Sequence, residues 1–171
     1  MSRSIFVILI TMKLLLIGLS ASGKSTVSKL VAKDFNLQLI EADDEVEKYN
    51  GGVWPDSDEV ITKVFEDTDK WVIEMDNVIY VTSWMEQDII KNFHANGFKI
   101  IEMHADFDEL VRRKKVRDNI TDEKIEKFKL TYIEYFNTIL NIEIKDLYEA
   151  SIDTTRINTS EVYKQIREGI A

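Results

Sequence analysis

Gly18-Leu19-Ser20-Ala21-Ser22-Gly23-Lys24-Ser25-Thr26 follows the apolar run Leu14-Leu15-Leu16-Ile17 without a break. It precedes a segment carrying Val27, Leu30, Val31 and Phe35 at helical spacing. The stretch satisfies G-x-x-x-x-G-K-S/T, and each position has a physical job. The glycines let the backbone turn successive amide N–H groups inward. The helix that follows aims its free N–H groups at the same point. Lys24 adds a cation for β- and γ-phosphates, and the Ser25 hydroxyl suits magnesium. Gly18, Ser20, Ala21, Ser22, Gly23, Lys24, Ser25 and Thr26 are therefore the expected nucleotide-phosphate contacts, with ATP and Mg2+ as cofactors and Ser25 as the metal ligand.

Outward from this loop, strand and helix signals alternate. Strands are expected at residues 13–17, 37–40, 78–82, 98–103 and 150–153. Helices are expected at residues 24–35, 56–74 (in one or two pieces), 85–96, 106–117, 121–140 and 160–169, the last capped by Ser160. Gly97 marks a helix end, and residues 50–55, with the single proline, carry turn chemistry. This alternation predicts a doubly wound, parallel five-stranded α/β sheet. It also predicts one domain over residues 12–171, with a helical lid at about 112–145.

The 171 residues suffice for one core. Cysteine is absent, which excludes disulfides, thiolate zinc sites and a cysteine nucleophile, and fits a cytoplasmic setting. His94 and His104 are the only histidines and receive no role. The net charge of −9 argues against global attraction to nucleic acid. One basic run exists, Arg112-Arg113-Lys114-Lys115-Val116-Arg117. Residues 5–17 are too short and too interrupted, by Thr11 and Lys13, to span a membrane. A signal peptide would compete for this run, but the phosphate loop needs its end as a strand. Residues 1–11 read as an upstream extension ahead of Met12.

From Met12 onward the chain resembles the small P-loop kinases that include shikimate, cytidylate and adenylate kinases. The resemblance rests on the phosphate loop, on Leu110-x-x-Arg113-x-x-x-Arg117, and on Ile152-Asp153-Thr154-Thr155-Arg156-Ile157 before the last helix. It implies that Arg113 and Arg117 reach the transferring phosphate, with Arg112 the substitute if the register slips by one. It implies too that residues 155–157, Arg156 among them, lie against adenine. Lys24, Asp43, Arg113 and Arg117 are then the catalytic set.

Asp43 and Asp44 follow the second strand. In relatives that phosphorylate a hydroxyl, including polynucleotide 5′-hydroxyl kinases, an aspartate there approaches the acceptor oxygen. Such a carboxylate orients the hydroxyl and accepts its proton. The plainer alternative is an acidic first turn of a helix, since Glu45 and Glu47 follow. Trp54 and Trp84 are candidates to stack on an acceptor ring, with core packing as the alternative. Ser83 is a further acceptor contact. Between Arg3 and Arg112 there is no arginine. Nucleoside monophosphate kinases grip an acceptor phosphate with arginines from that stretch, and shikimate-type enzymes grip a carboxylate. Arginine's planar fork suits both anions.

Three functions remain in view. One is transfer of the ATP γ-phosphoryl group to a hydroxyl-bearing acceptor, on a nucleoside or on a hydroxymethylated base in DNA. Another is a nucleoside monophosphate kinase of the cytidylate type. The third is a non-catalytic nucleotide-binding protein, against which the intact Lys24, Ser25 and lid arginines argue.

Overall fold

The structure is a computed structural model that describes residues 11–83, 86–139 and 142–170. Its centre is strand β1 (Lys13–Ile17), in which all residues after Lys13 are buried. Successive strand side chains point to opposite faces. Leu14 and Leu16 therefore enter one core, and Leu15 and Ile17 the other. A strand covered on both sides reads as an unbroken apolar run, which is what residues 14–17 are.

Four more strands complete the sheet: β2 (Gln38–Glu41), β3 (Val78–Thr82), β4 (Lys99–His104) and β5 (Tyr148–Asp153). Their order is β2-β3-β1-β4-β5 and every pairing is parallel. Leu14 pairs with Ile79 on one side and Lys99 on the other. The order reverses direction at β1, so the crevice beyond its carboxyl end is where such a sheet binds ligands. The described chain already joins this sheet at Met12, whose carbonyl accepts from Val78 N.

Helices α1 (Lys24–Phe35) and α8 (Thr159–Ile170) cover one face through Val27, Val31, Val162, Ile166 and Ile170. The other face is covered by α2 (Ala42–Tyr49), α3 (Asp58–Ile73) and α4 (Gln87–Ala95), through Ala42, Val72, Ile90 and Phe93. Between β4 and β5 the chain forms α5 (Phe107–Asp118), α6 (Asp122–Ile139) and the single turn α7 (Ile142–Lys145). A third core cluster joins Tyr135 and Ile139 of α6, Leu110 of α5 and Leu19 of the phosphate loop.

Most expected elements lie within two residues of these bounds. Residues 42–49, where an acidic first turn was one of two readings, form a helix. Residues 58–73 form one continuous helix. One reading changes. The cap of α8 is Asn158, not Ser160: Asn158 Oδ1 accepts from Ser160 N and Glu161 N at 2.9 and 3.1 Å. Glu161 Oε2 returns the favour by accepting from Asn158 N at 2.9 Å, a reciprocal box that fixes the helix start.

Candidate active site

The loop between β1 and α1 presses against β4. A Cβ on Gly18 would stand 2.1 Å from the Met103 carbonyl oxygen, so no other residue fits there. Gly23 caps α1 with φ 96°, and no side chain caps the helix. Among the described helices α1 alone has no acidic residue in its first turn. Elsewhere carboxylates occupy the positive ends of the helices; here the N–H groups stay open to an incoming anion.

Lys24 is only 7% exposed. Its ammonium donates to the carbonyls of Gly18 at 2.6 Å and Leu19 at 3.0 Å. Burial is the main cause that brings its pKa down to about 8, against the raising influence of Asp43 and Glu41. Ser25 lies beside it at the mouth of a cleft of ≈ 440 Å³. Residues 20–27, Glu41, Asp43, Thr82 and Ser83 line that cleft, together with Arg113 and Arg117 across from them. Asp43 is open to solvent on the cleft side. Desolvation on its other sides is the main influence that raises its pKa, and Lys24 opposes the rise. A raised carboxylate is a better proton acceptor. Hydroxyl and carboxylate oxygens are also the hard donors magnesium takes, usually shared with phosphates rather than in a closed protein cage.

Helix α5 supplies the opposite wall. Arg113 spans the site: Nε donates to Glu109 at 2.7 Å, and one terminal nitrogen donates to Ala21 O at 3.2 Å and Thr154 Oγ1 at 3.1 Å. The other donates to Thr154 O at 2.6 Å. The Ala21 carbonyl it holds belongs to a residue with φ 72°, an uncommon backbone state kept in place by such contacts. One turn on, Arg117 donates to Ser20 Oγ at 3.0 Å. Lys114 reaches the same hydroxyl at 3.2 Å. Arg112 turns away, exposed and paired with Glu109 at 2.7 Å.

Behind this wall Glu102 is fully buried. It accepts from Tyr135 at 2.7 Å, Ser151 at 2.5 Å and His104 at 2.8 Å. Its hydrogen bond is the largest influence raising the His104 pKa, ahead of the opposing effect of burial. Tyr135 sits on α6, so this buried carboxylate fastens α6 to β4 and β5.

The structure thus gathers residues 20–26, Asp43, Ser83, Arg113 and Arg117 around one cleft, with Gly18 beneath it. It does not bring all the sequence candidates there. Asp44 is exposed outside the lining, and Trp54 stands 43% exposed in the connection between α2 and α3. Arg156 is exposed beside Asp153, and Ile157, Asn158 and Thr159 line the cleft in its stead. Trp84 lies outside the described residues. Glu41 and Lys114 escaped the sequence reading. The signal for Glu41 was its place two residues before Asp43 at a strand end. For Lys114 it was a spacing of four residues from Leu110, which α5 buries.

A family model described as "SKI: Shikimate kinase" matches residues 20–170. The chain belongs to the shikimate kinase family. Family membership makes it an ATP-dependent phosphotransferase. Solved structures agree on the fold. The shikimate kinase from Aquifex aeolicus superposes with a TM-score of 0.69 at 20% identity, covering 92% of this chain and 94% of that one. A shikimate kinase from Acinetobacter baumannii in complex with shikimate gives 0.69 at 15% identity over 93% and 92% of the two chains. A gluconokinase from Sinorhizobium meliloti gives 0.64 at 15% identity over 93% and 91%. No curated protein sequence matches the chain. No helix among the described residues is long and apolar enough to cross a membrane.

Proposed function

We propose that this shikimate kinase family member transfers the γ-phosphoryl group of ATP to the hydroxyl of an uncharged acceptor, such as a free nucleoside. The observation that carries the reading is the placement of Asp43 opposite Lys24 in a cleft whose two arginines both lie on the donor-side helix α5. Residues 41–76, from the last residue of β2 through α2 and α3, hold thirteen carboxylates and three lysines, a net charge of −10. The rest of the chain is therefore close to neutral. An acceptor that brings a carboxylate or a phosphate would approach this half against its field and find no arginine to receive it. This counts against shikimate, against nucleoside monophosphates and against a hydroxymethylated base embedded in polyanionic DNA.

In the transfer, the bond from γ-phosphorus to the β,γ-bridging oxygen breaks and a bond to the acceptor oxygen forms. The hydroxyl proton passes to Asp43, and ADP leaves. The open N–H groups of α1 and the Lys24 ammonium offset charge on the phosphates. Magnesium, when bound, would be held by Ser25, with Glu41 and Asp43 reaching it through water, and would neutralise phosphate charge. Thr82 and Ser83 flank the acceptor oxygen, and α5 with α6 keeps water from the reacting group.

The test is transfer of labelled phosphate from ATP to a panel of nucleosides, polyols, nucleoside monophosphates, shikimate, gluconate, and plain and hydroxymethylated DNA. Turnover is expected on a neutral acceptor. Efficient phosphorylation of shikimate or of a monophosphate would refute the reading.

A further inference from the structure

We infer that Lys114 is a catalytic residue that contacts the γ-phosphate of ATP together with Arg117. The inference rests on the phosphate-loop reading proposed above.

Three observations converge. First, the Lys114 ammonium and the Arg117 guanidinium both donate to one hydroxyl, Ser20 Oγ, at 3.2 and 3.0 Å. Ser20 is inside the phosphate loop and lines the cleft. Two cations on one neutral hydroxyl is a poor use of charge. An anion between them improves both contacts.

Second, Lys114 lies within electrostatic reach of Lys24 and of Asp43. Lys24 marks the donor phosphates and Asp43 the acceptor oxygen, and the transferred group must pass between them. Lys114 is held beside Ser20, at the edge of that path. Its side chain is 16% exposed, and its ammonium sits 5.0 Å from the centre of the Phe128 ring on α6. Asp118 stands 3.7 Å away and also pairs with Arg117 at 2.6 Å, so a single carboxylate serves two cations.

Third, the neighbouring arginine is occupied. A guanidinium has five N–H donors. Arg113 directs four bonds to Glu109, Ala21 and Thr154. To turn toward a phosphate it would have to release the loop carbonyl it supports. Among the described residues Lys114 has the Ser20 hydroxyl, the more distant Asp118 and the face of the Phe128 ring to leave, and none of them is a loop carbonyl.

A contact made to the γ-phosphate alone separates ATP from ADP, whereas a structural role does not. The experiment titrates ADP and the β,γ-imido analogue of ATP, with magnesium, into the wild-type protein by calorimetry. The same titrations are run on Lys114→Met, Lys114→Gln, Lys114→Arg and Lys24→Met. Loss of one charge-assisted contact should weaken the imido analogue roughly tenfold in Lys114→Met and Lys114→Gln. ADP affinity should stay at the wild-type value, which also reports that the fold is intact. Lys114→Arg should recover most of the loss. Unchanged affinity for the imido analogue in both neutral variants, or an equal loss for ADP, overturns the inference. The Lys24→Met arm separates the two readings. If Lys24→Met binds both nucleotides normally, the phosphate-loop reading fails; if only the Lys114 variants are silent, Lys114 alone loses its role.

Discussion

The two halves of the cleft are built on different terms. On the donor side Ser22 is fully buried, Lys24 is 7% exposed, and Thr154 is 2% exposed while bonded to Ser22 O, His104 O and Arg113. Backbone carbonyls and amides do most of the shaping there. On the acceptor side Tyr49, Val53 and Trp54 are 63%, 65% and 43% exposed, and the helices carry a dense set of carboxylates. Phosphate is the same in every nucleotide, so one rigid backbone cradle serves it. An acceptor is particular, and its recognition falls to side chains on a looser frame.

The hardest blow to the donor half is Lys24→Met. It should lower turnover by about 10³-fold, because transfer leaves few other cations to offset the developing charge. Single-turnover transfer from labelled ATP measures it, and a loss under tenfold would break the assignment of this side. Asp43→Asn should lower kcat by about 10²-fold and leave ATP affinity near the wild-type value. Equal loss in both would make Asp43 a donor residue and blur the division.

The free protein holds Lys24 with a pKa of about 8. Bound phosphate favours its charged form, so ATP binding takes up a proton above that pH. Affinity should fall by up to about tenfold per pH unit as pH rises beyond about 8. Calorimetry in two buffers of different ionisation enthalpy reads the proton directly. On the acceptor side Ser83→Ala, which removes a hydroxyl from the cleft lining, should raise the KM of the best acceptor about fivefold and leave the KM for ATP alone. A change in both would tie the end of β3 to the donor half.

The smallest effect concerns stability. Asp69 accepts from Tyr80 OH at 2.8 Å, and burial, its leading influence, lifts its pKa to about 6 from 3.8. Between these values the folded state keeps a proton that the unfolded chain loses. Stability therefore falls as pH rises from 3.8 to about 6, and the full cost remains above that. Asp69→Asn should gain about 1 kcal/mol near pH 7.5, a rise of about 2–4 °C in Tm, and nothing near pH 3.5. Thermal melts at the two pH values check it. A gain at both would mean that packing, not charge, separates the two halves here.

The donor half was legible because its chemistry is written in a contiguous stretch. Gly18, Gly23, Lys24 and Ser25 fall in one loop, and local spacing decides what they do. The strands were legible for a similar reason, since a run such as residues 14–17 is buried on both faces. Lys114 was not legible. Which bases of the 112–117 run reach the loop depends on how Leu110 of α5 rests on Leu19 and Tyr135, a tertiary fact. Glu41 was hidden because β2 extends one residue beyond the expected end, which turns positions 41 and 43 toward the cleft together. Residues 42–49 were open to two readings because four acids among eight residues suit either a catalytic carboxylate or a helix's first turn, and only the packing of Val46 shows the helix. The α8 cap moved because Asn158 and Glu161 satisfy each other, and pattern alone ranked Ser160 equally well.

The two carbonyl contacts of Lys24, to Gly18 and Leu19, carry a kinetic consequence. Lys24 already has two acceptors inside the loop, so an arriving nucleotide exchanges partners with its ammonium. Exchange holds the net gain on binding to a moderate value and gives the lysine somewhere to return when ADP departs. A cradle that welcomed phosphate without that alternative would grip its product and slow every subsequent cycle.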